Sequence, residues 1–223
     1  MDKGFVEVWL GGSLVGRIAL TPEGLCAFEY DAKFLENGFS ISPYVLPLEK
    51  KVFVAERDPF DGNFGVFDDS LTDGWGSLLL DRFLQEQGKD LSKLTILDRL
   101  SLIGSNGRGA LEYRPDNSFI ADSHFKDFDK ISSECKKILE EKKIDTHSLE
   151  ELYKNGGSSG GARPKVFAKI DGRECLIKFR SSFDPKNVGE IEYRYSLIAK
   201  KCRIGMPETR LVNGKYFAVG RFD

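Results

Sequence analysis

Cysteine and histidine are scarce, a charge excess is missing, and no long apolar run interrupts the chain. Only four of 223 residues are cysteine and two are histidine. Cys26, Cys135, Cys175 and Cys202 stand far apart with no C-x-x-C pair. His124 and His147 sit in polar surroundings without ligand spacing, so four reduced thiols and no metal site are expected. Basic residues number 33 against 35 acidic ones, a formal charge of −2. Without a run of one sign to coat a phosphate backbone, direct nucleic-acid binding is disfavoured. No stretch approaches the ~20 apolar residues of a membrane span. The opening MDKGFVEVWLGG lacks the basic start and apolar core of a signal peptide. The expectation is a soluble, cytoplasmic protein with no membrane partner, long enough for two compact units.

What is present falls into two halves. Val6, Val8 and Leu10 alternate with polar neighbours, the chain turns at Gly11-Gly12, and LVGRIAL follows, which is the pattern of a β-hairpin with one buried face. A third strand is expected around Leu25–Tyr30. Between about Ser40 and Asp69, prolines and glycines among aromatic residues suit edge strands and ordered loops. From Asp73, DGWGSLLLDRFLQEQG has helical spacing and stops at Gly88, and LSKLTILDRLSLIG gives a second helix closing at Gly104. Arg114-Pro115-Asp116 opens a polar connection, where the domain boundary is placed. ISSECKKILEEKK then puts Ile131, Cys135, Ile138 and Leu139 on one helix face.

Beyond Gly156–Gly161 the chain reads KVFAKI, Asp171-Gly172, ECLIKF: two strands about a dipeptide favouring a type I′ turn. Asp184-Pro185 is the expected cap and first-turn proline of a helix with the apolar stripe Val188, Ile191, Tyr195, Ile198, Cys202, ended by Gly205 and Pro207. A hairpin about Asn213-Gly214 leads to Arg221-Phe222-Asp223. The expected fold class is α+β. Residues 1–114 form a small strand-rich subdomain with packed helices. Residues 115–223 carry an antiparallel sheet with one principal helix.

Glycine loop, strand, turn, strand with a lysine, helix with a glutamate, hairpin: this is the order of a protein-kinase N-lobe, where loop amides approach phosphates, the lysine neutralises them and the glutamate holds the lysine. Gly156 through Arg163 contains G-x-x-x-x-G, but a Walker A loop would continue Lys-Ser/Thr where Ala162-Arg163 stands, which disfavours a P-loop NTPase. A glycine cluster also describes a flexible linker. Arg163-Pro164-Lys165, entering a β-branched and aromatic strand, favours a structured anion-binding loop. Alternation puts Leu176, Lys178 and Arg180 on one strand face, opposite Cys175, Ile177 and Phe179. On the following helix Glu192 lies beside the apolar stripe and Glu190 nearly opposite, so Glu192 is the candidate partner for Lys178.

GGSSGGARPK, IKF, EIEYRYSLIAKKCRIGMPE and FAVGRFD resemble the HipA family of bacterial serine/threonine toxin kinases. In the first half, VWLGGSLVG, FDGNFGVFDDSLTDGWGSLLLDRFL and LDRLSLIGSNGRGALEYRP are similar to the subdomain that precedes the kinase core in that family. The resemblance implies ATP-dependent phosphorylation of a protein serine or threonine. Translation-related proteins such as glutamyl-tRNA synthetase are among family targets, and a DNA-binding HipB-type antitoxin neutralises the toxin. Carried over by position, Gly160, Gly161, Ala162, Arg163, Pro164 and Lys165 would cradle the phosphates. Lys178 would contact them and Glu192 would support it. Gly220, Arg221 and Phe222 would form the hinge beside adenine, with Gly220 where relatives often carry an acidic residue. Ser158, with Ser159 the alternative, falls where the family has an autophosphorylated serine. The catalytic aspartates and the magnesium ligands of the family belong to a lobe beyond the hinge. The resemblance therefore implies the front portion of such a kinase, inactive alone. The competing reading is a non-catalytic module that binds an antitoxin or a separate kinase lobe; a third is an α+β protein whose loop holds another phosphate.

Overall fold

The computed structural model describes residues 4–89, 91–107, 109–118, 127–157 and 160–221. In chain order the strands are β1 (Phe5–Leu10), β2 (Ser13–Leu20), β3 (Cys26–Tyr30), β4 (Val52–Val54), β5 (Leu111–Arg114), β6 (Lys165–Ile170), β7 (Arg173–Lys178), β8 (Thr209–Val212) and β9 (Tyr216–Gly220). The helices are α1 (Ala32–Asn37), α2 (Gly65–Asp68), α3 (Gly74–Glu86), α4 (Ile96–Ile103), α5 (Phe128–Leu139), α6 (Thr146–Gly156) and α7 (Val188–Lys201). Two antiparallel sheets with helices make the α+β class expected from the sequence. Among the described residues no helix is long and apolar enough to cross a membrane.

The chain divides into two compact units, Met1–Leu71 with Asp90–Ile120, and Thr72–Lys89 with Ala121–Asp223. Where the sequence suggests one division at residue 114, the units interleave. The reason is α3: its buried face of Trp75, Leu79, Leu80, Phe83 and Leu84 belongs to the second unit. There Phe83 stacks on Tyr153 of α6 with ring centroids 5.0 Å apart.

The first unit holds a sheet in the order β4-β3-β2-β1-β5. Gly11 and Gly12 take φ of 54° and 80°, the left-handed pair a tight hairpin requires. Alternation buries Val6 and Val8 of β1 with Ile18 and Phe28, against Phe67, Leu100 and Tyr113. Thr95 begins α4 with a reciprocal capping box to Asp98.

The second sheet runs β6-β7-β9-β8. Asp171 and Gly172 both have positive φ, so the β6–β7 turn is the hairpin the Asp-Gly pair announces. One face carries Val166, Ala168, Cys175, Ile177 and Ala218, all buried. The other carries Lys165, Lys178 and Phe217 in one cross-strand row and Phe167, Leu176 and Val219 in the next.

Helix α7 departs from expectation at both its start and its packing. Its N-cap is Asn187, and Asp184 instead accepts hydrogen bonds from Ser181 N–H and Oγ–H. The buried side is Gly189 and Ser196, while Tyr195 and Ile198 of the apolar stripe are exposed. Small residues face the sheet because the backbones meet closely: a Cβ on Gly189 would lie 2.0 Å from the Lys215 carbonyl oxygen. Ser196 Oγ lies 2.8 Å from Thr209 Oγ1. Alanine outranks glycine in a helix by about 1 kcal/mol, yet that backbone oxygen cannot rotate away as a side chain would. Gly189→Ala is therefore expected to lower unfolding stability by roughly 1–3 kcal/mol, the usual cost of overpacking. A urea titration that shows a gain would refute the close contact.

Candidate functional site

Lys178 ends β7, and its Nζ lies 2.8 Å from Glu192 Oε2 on α7. Glu190 pairs instead with Arg194, one turn along, at 2.5 Å. Of the two helix glutamates, the structure places Glu192 at Lys178. Phe217, the register partner of Lys178, sets its ring 5.4 Å from the ammonium.

Lys165 is directly opposite Lys178 in the β6–β7 ladder. Like charges in such a pair repel. Here carboxylates stand close by: Glu192 on Lys178, and Asp73 and Asp184 on the loop. Lys165 is buried, and its ammonium turns back to donate to the Gly160 and Gly161 carbonyls. Burial first, and then Lys178, hold its pKa below the ordinary lysine value.

The loop residues proper are anchored by main-chain contacts. Pro164 C=O accepts from Phe179 N–H at 2.8 Å, which extends the β6–β7 ladder by a step. Gly161 has φ of 87°. Its carbonyl accepts from Trp75 N–H at 3.1 Å, and its own N–H donates to Asp73 Oδ1 at 2.5 Å. Arg163 reaches away from the loop amides. One branch of its guanidinium binds Asp184 Oδ1 at 2.8 Å and the other approaches Glu192 Oε1 at 3.4 Å. Burial alone would raise the Asp184 carboxyl, but the Ser181 donors and Arg163 outweigh it and hold it below its usual range.

Asp73, Gly74, Trp75 and Gly76 were not singled out by sequence reasoning as site residues. A Cβ on Gly74 would lie 2.8 Å from Ala162 Cα, and one on Gly76 would lie 2.3 Å from the Gly157 carbonyl oxygen. The two glycines therefore let the start of α3 touch both ends of the glycine loop. Trp75 Nε1–H completes the contact by donating to the Lys165 carbonyl at 3.2 Å. The available signal was two glycines in the first turn of a predicted helix, where alanine would serve the helix better.

Gly220 and Arg221 are not brought to the lysines. Gly220 lies three residues past Phe217, about 10 Å along the strand. The Gly220 and Arg221 amides donate to the Glu208 and Glu174 carbonyls at 2.8 and 2.9 Å. Both residues line a cavity of about 790 Å³ with Arg173, Cys175, Glu208 and Arg210. By strand alternation this cavity opens on the face opposite Lys178. Its arginines are engaged with acidic neighbours, Arg173 and Arg210 with Glu208 and Arg221 with Glu174. Ser158, Ser159 and Phe222 lie outside the described residues.

The class the fold and site define is an α+β protein whose second antiparallel sheet carries a lysine, paired with a helix glutamate, beside residues 160–165. The particular family is shown by comparison: residues 6–114 match the HipA N-terminal domain and residues 157–223 match the HipA-like C-terminal domain. The chain belongs to the HipA family, and is a HipA-like protein of the toxin–antitoxin type. No curated protein matches it.

Proposed function

We propose that this chain provides the nucleotide-phosphate grip of a HipA-like serine/threonine protein kinase, with ATP as its ligand. The observation that carries this reading is the Lys178–Glu192 pair at 2.8 Å, on the same sheet face as Lys165 and at the mouth of the glycine loop. Two opposed lysines form a poor ladder pair on their own and a good one when an anion lies between them. Lys178 would hold a phosphate, with Glu192 fixing its position. The half-buried row Phe167, Leu176 and Val219 offers a flat apolar surface suited to the base. ATP bound there would supply the phosphoryl group, with magnesium as the metal that the family uses.

Calorimetry with ATP and with unrelated phosphates tests the reading. Saturable ATP binding that is preferred over free phosphate supports it. Equal, weak binding of every phosphate would favour the third alternative, a protein for some other anion. A non-catalytic interaction module is the second reading, and the exposed Tyr195, Ile198, Ile204 and Met206 support it. Its partner would be a HipB-type antitoxin or a separate kinase lobe. Tyr195→Ser with Ile198→Ser is expected to leave ATP affinity within about twofold, since surface changes away from a site cost little, and to abolish capture of that partner.

A further inference from the structure

Asp73 occupies the position that would ordinarily cap α3, with extended backbone, yet its side chain makes no bond to its own helix. An N-cap aspartate normally stabilises its helix by accepting from the second or third helical amide. Here that stabilisation is forgone, and Oδ1 reaches residue 161 instead, at 2.5 Å from the Gly161 nitrogen. Three further contacts fix the same geometry. Trp75 N–H donates to the Gly161 carbonyl, Trp75 Nε1–H donates to the Lys165 carbonyl, and Lys165 Nζ donates to the Gly160 carbonyl. Gly74 and Gly76 leave the room for it. Residues 73–76 are thus shaped around the glycine loop, and the one ionised group among them sits on a loop amide.

We propose that Asp73 is a latch on the glycine loop: its carboxylate holds the Gly161 N–H that an incoming phosphate would take, so nucleotide binding exchanges one anion for another. This inference rests on the phosphate-grip reading above and adds to it a positioning residue and a closed resting state. The chemistry of the exchange is balanced without a proton. A carboxylate and a phosphate oxygen are both acceptors for the same donor, and charge-assisted bonds of this kind are roughly twice as strong as neutral ones. Lys165 moves with the exchange. In the latched loop it is spent on the Gly160 and Gly161 carbonyls; once the loop shifts, its ammonium is released to the row it shares with Lys178. Asp73 is exposed, so a phosphate can approach it and its substitution leaves the core untouched.

Asp73→Asn keeps the size and one acceptor and removes the charge, so the latch weakens while the residue still fits. ATP affinity measured by calorimetry on the full chain is expected to rise about tenfold, the equivalent of about 1.4 kcal/mol. In the absence of nucleotide the Gly161 amide proton should move upfield in the NMR spectrum as the short charge-assisted bond is lost. A merely structural aspartate predicts the opposite sign for affinity, because a loosened loop binds worse. Equal affinity in the two chains, or weaker binding by Asp73→Asn, overturns the latch and leaves the phosphate grip standing. Binding of ATP by neither chain overturns the grip itself. Thermal unfolding within about 2 °C of the parent, the range of a near-neutral surface change, confirms that the comparison is between folded proteins.

Discussion

Lys178→Ala is expected to weaken ATP binding by roughly 10- to 100-fold, while the protein unfolds at nearly its original urea concentration. The two magnitudes part because the lysine does different things in each measurement. In the free chain it forms an ion pair whose lysine is a third exposed and whose glutamate is about a fifth exposed. Such a pair contributes under about 1 kcal/mol to stability. In the complex it meets a multiply charged phosphate in a cleft with limited solvent, where a hydrogen bond to a charged group is worth about 1.5–3 kcal/mol. Lys178→Arg should restore little, since a planar fork replaces a compact ammonium held by a single carboxylate oxygen. Glu192→Gln should cost less, roughly 3- to 10-fold by the weaker of these interactions, because the ammonium survives and only its alignment suffers. If Lys178→Ala binds ATP as well as the parent does, the phosphate site is elsewhere.

Trp75→Ala is expected to be the most destabilising single substitution considered, by about 3–5 kcal/mol for a fully buried indole. Trp75 is 1 % exposed and packs within the second unit, so the loss should appear as an early unfolding step of that unit. Trp9, on β1 of the first unit, remains as a fluorescent reporter, so circular dichroism and fluorescence should separate into two transitions. Trp75→Phe keeps much of the volume and loses the Nε1–H bond to the Lys165 carbonyl, and should cost roughly 1–2 kcal/mol. A loss below 1 kcal/mol for the alanine variant would mean that α3 is no part of the second unit's core.

The hairpins were legible because their signals are local. Asp171-Gly172 and Asn213-Gly214 specify their turns by the φ they permit, and alternation in KVFAKI and ECLIKF then fixes which side chains share a face. From that face the Lys178–Glu192 pair follows with one helical wheel. Helix α6 escaped because Leu149, Leu152 and Tyr153 give only a short apolar stripe ahead of the glycine cluster, which drew attention as a loop. Strand β5 escaped because its four residues owe their conformation to β1 alongside. The stripe on α7 was read with the right spacing and the wrong environment. Periodicity reports which residues line up, and only the close backbone approach at Gly189 tells that the small residues face inward. The contact of Asp73 with Gly161 spans 88 positions, and no local pattern encodes a pairing of that range.

Interleaving has a consequence for synthesis on the ribosome. Helix α3 is complete at residue 86, but α6, which supplies Tyr153 to stack on its Phe83, begins at residue 146. At translation rates of roughly 5–20 residues per second, those intervening residues take about 3–12 s. During that interval Trp75, Leu79 and Phe83 have left the ribosome without the side chains that will cover them. The nascent chain thus carries a sticky amphipathic helix for seconds, long against the microseconds in which helices form and chains collapse. Yield of folded protein should therefore depend on how fast the stretch between the two helices is translated, and on the chaperones present while α3 waits.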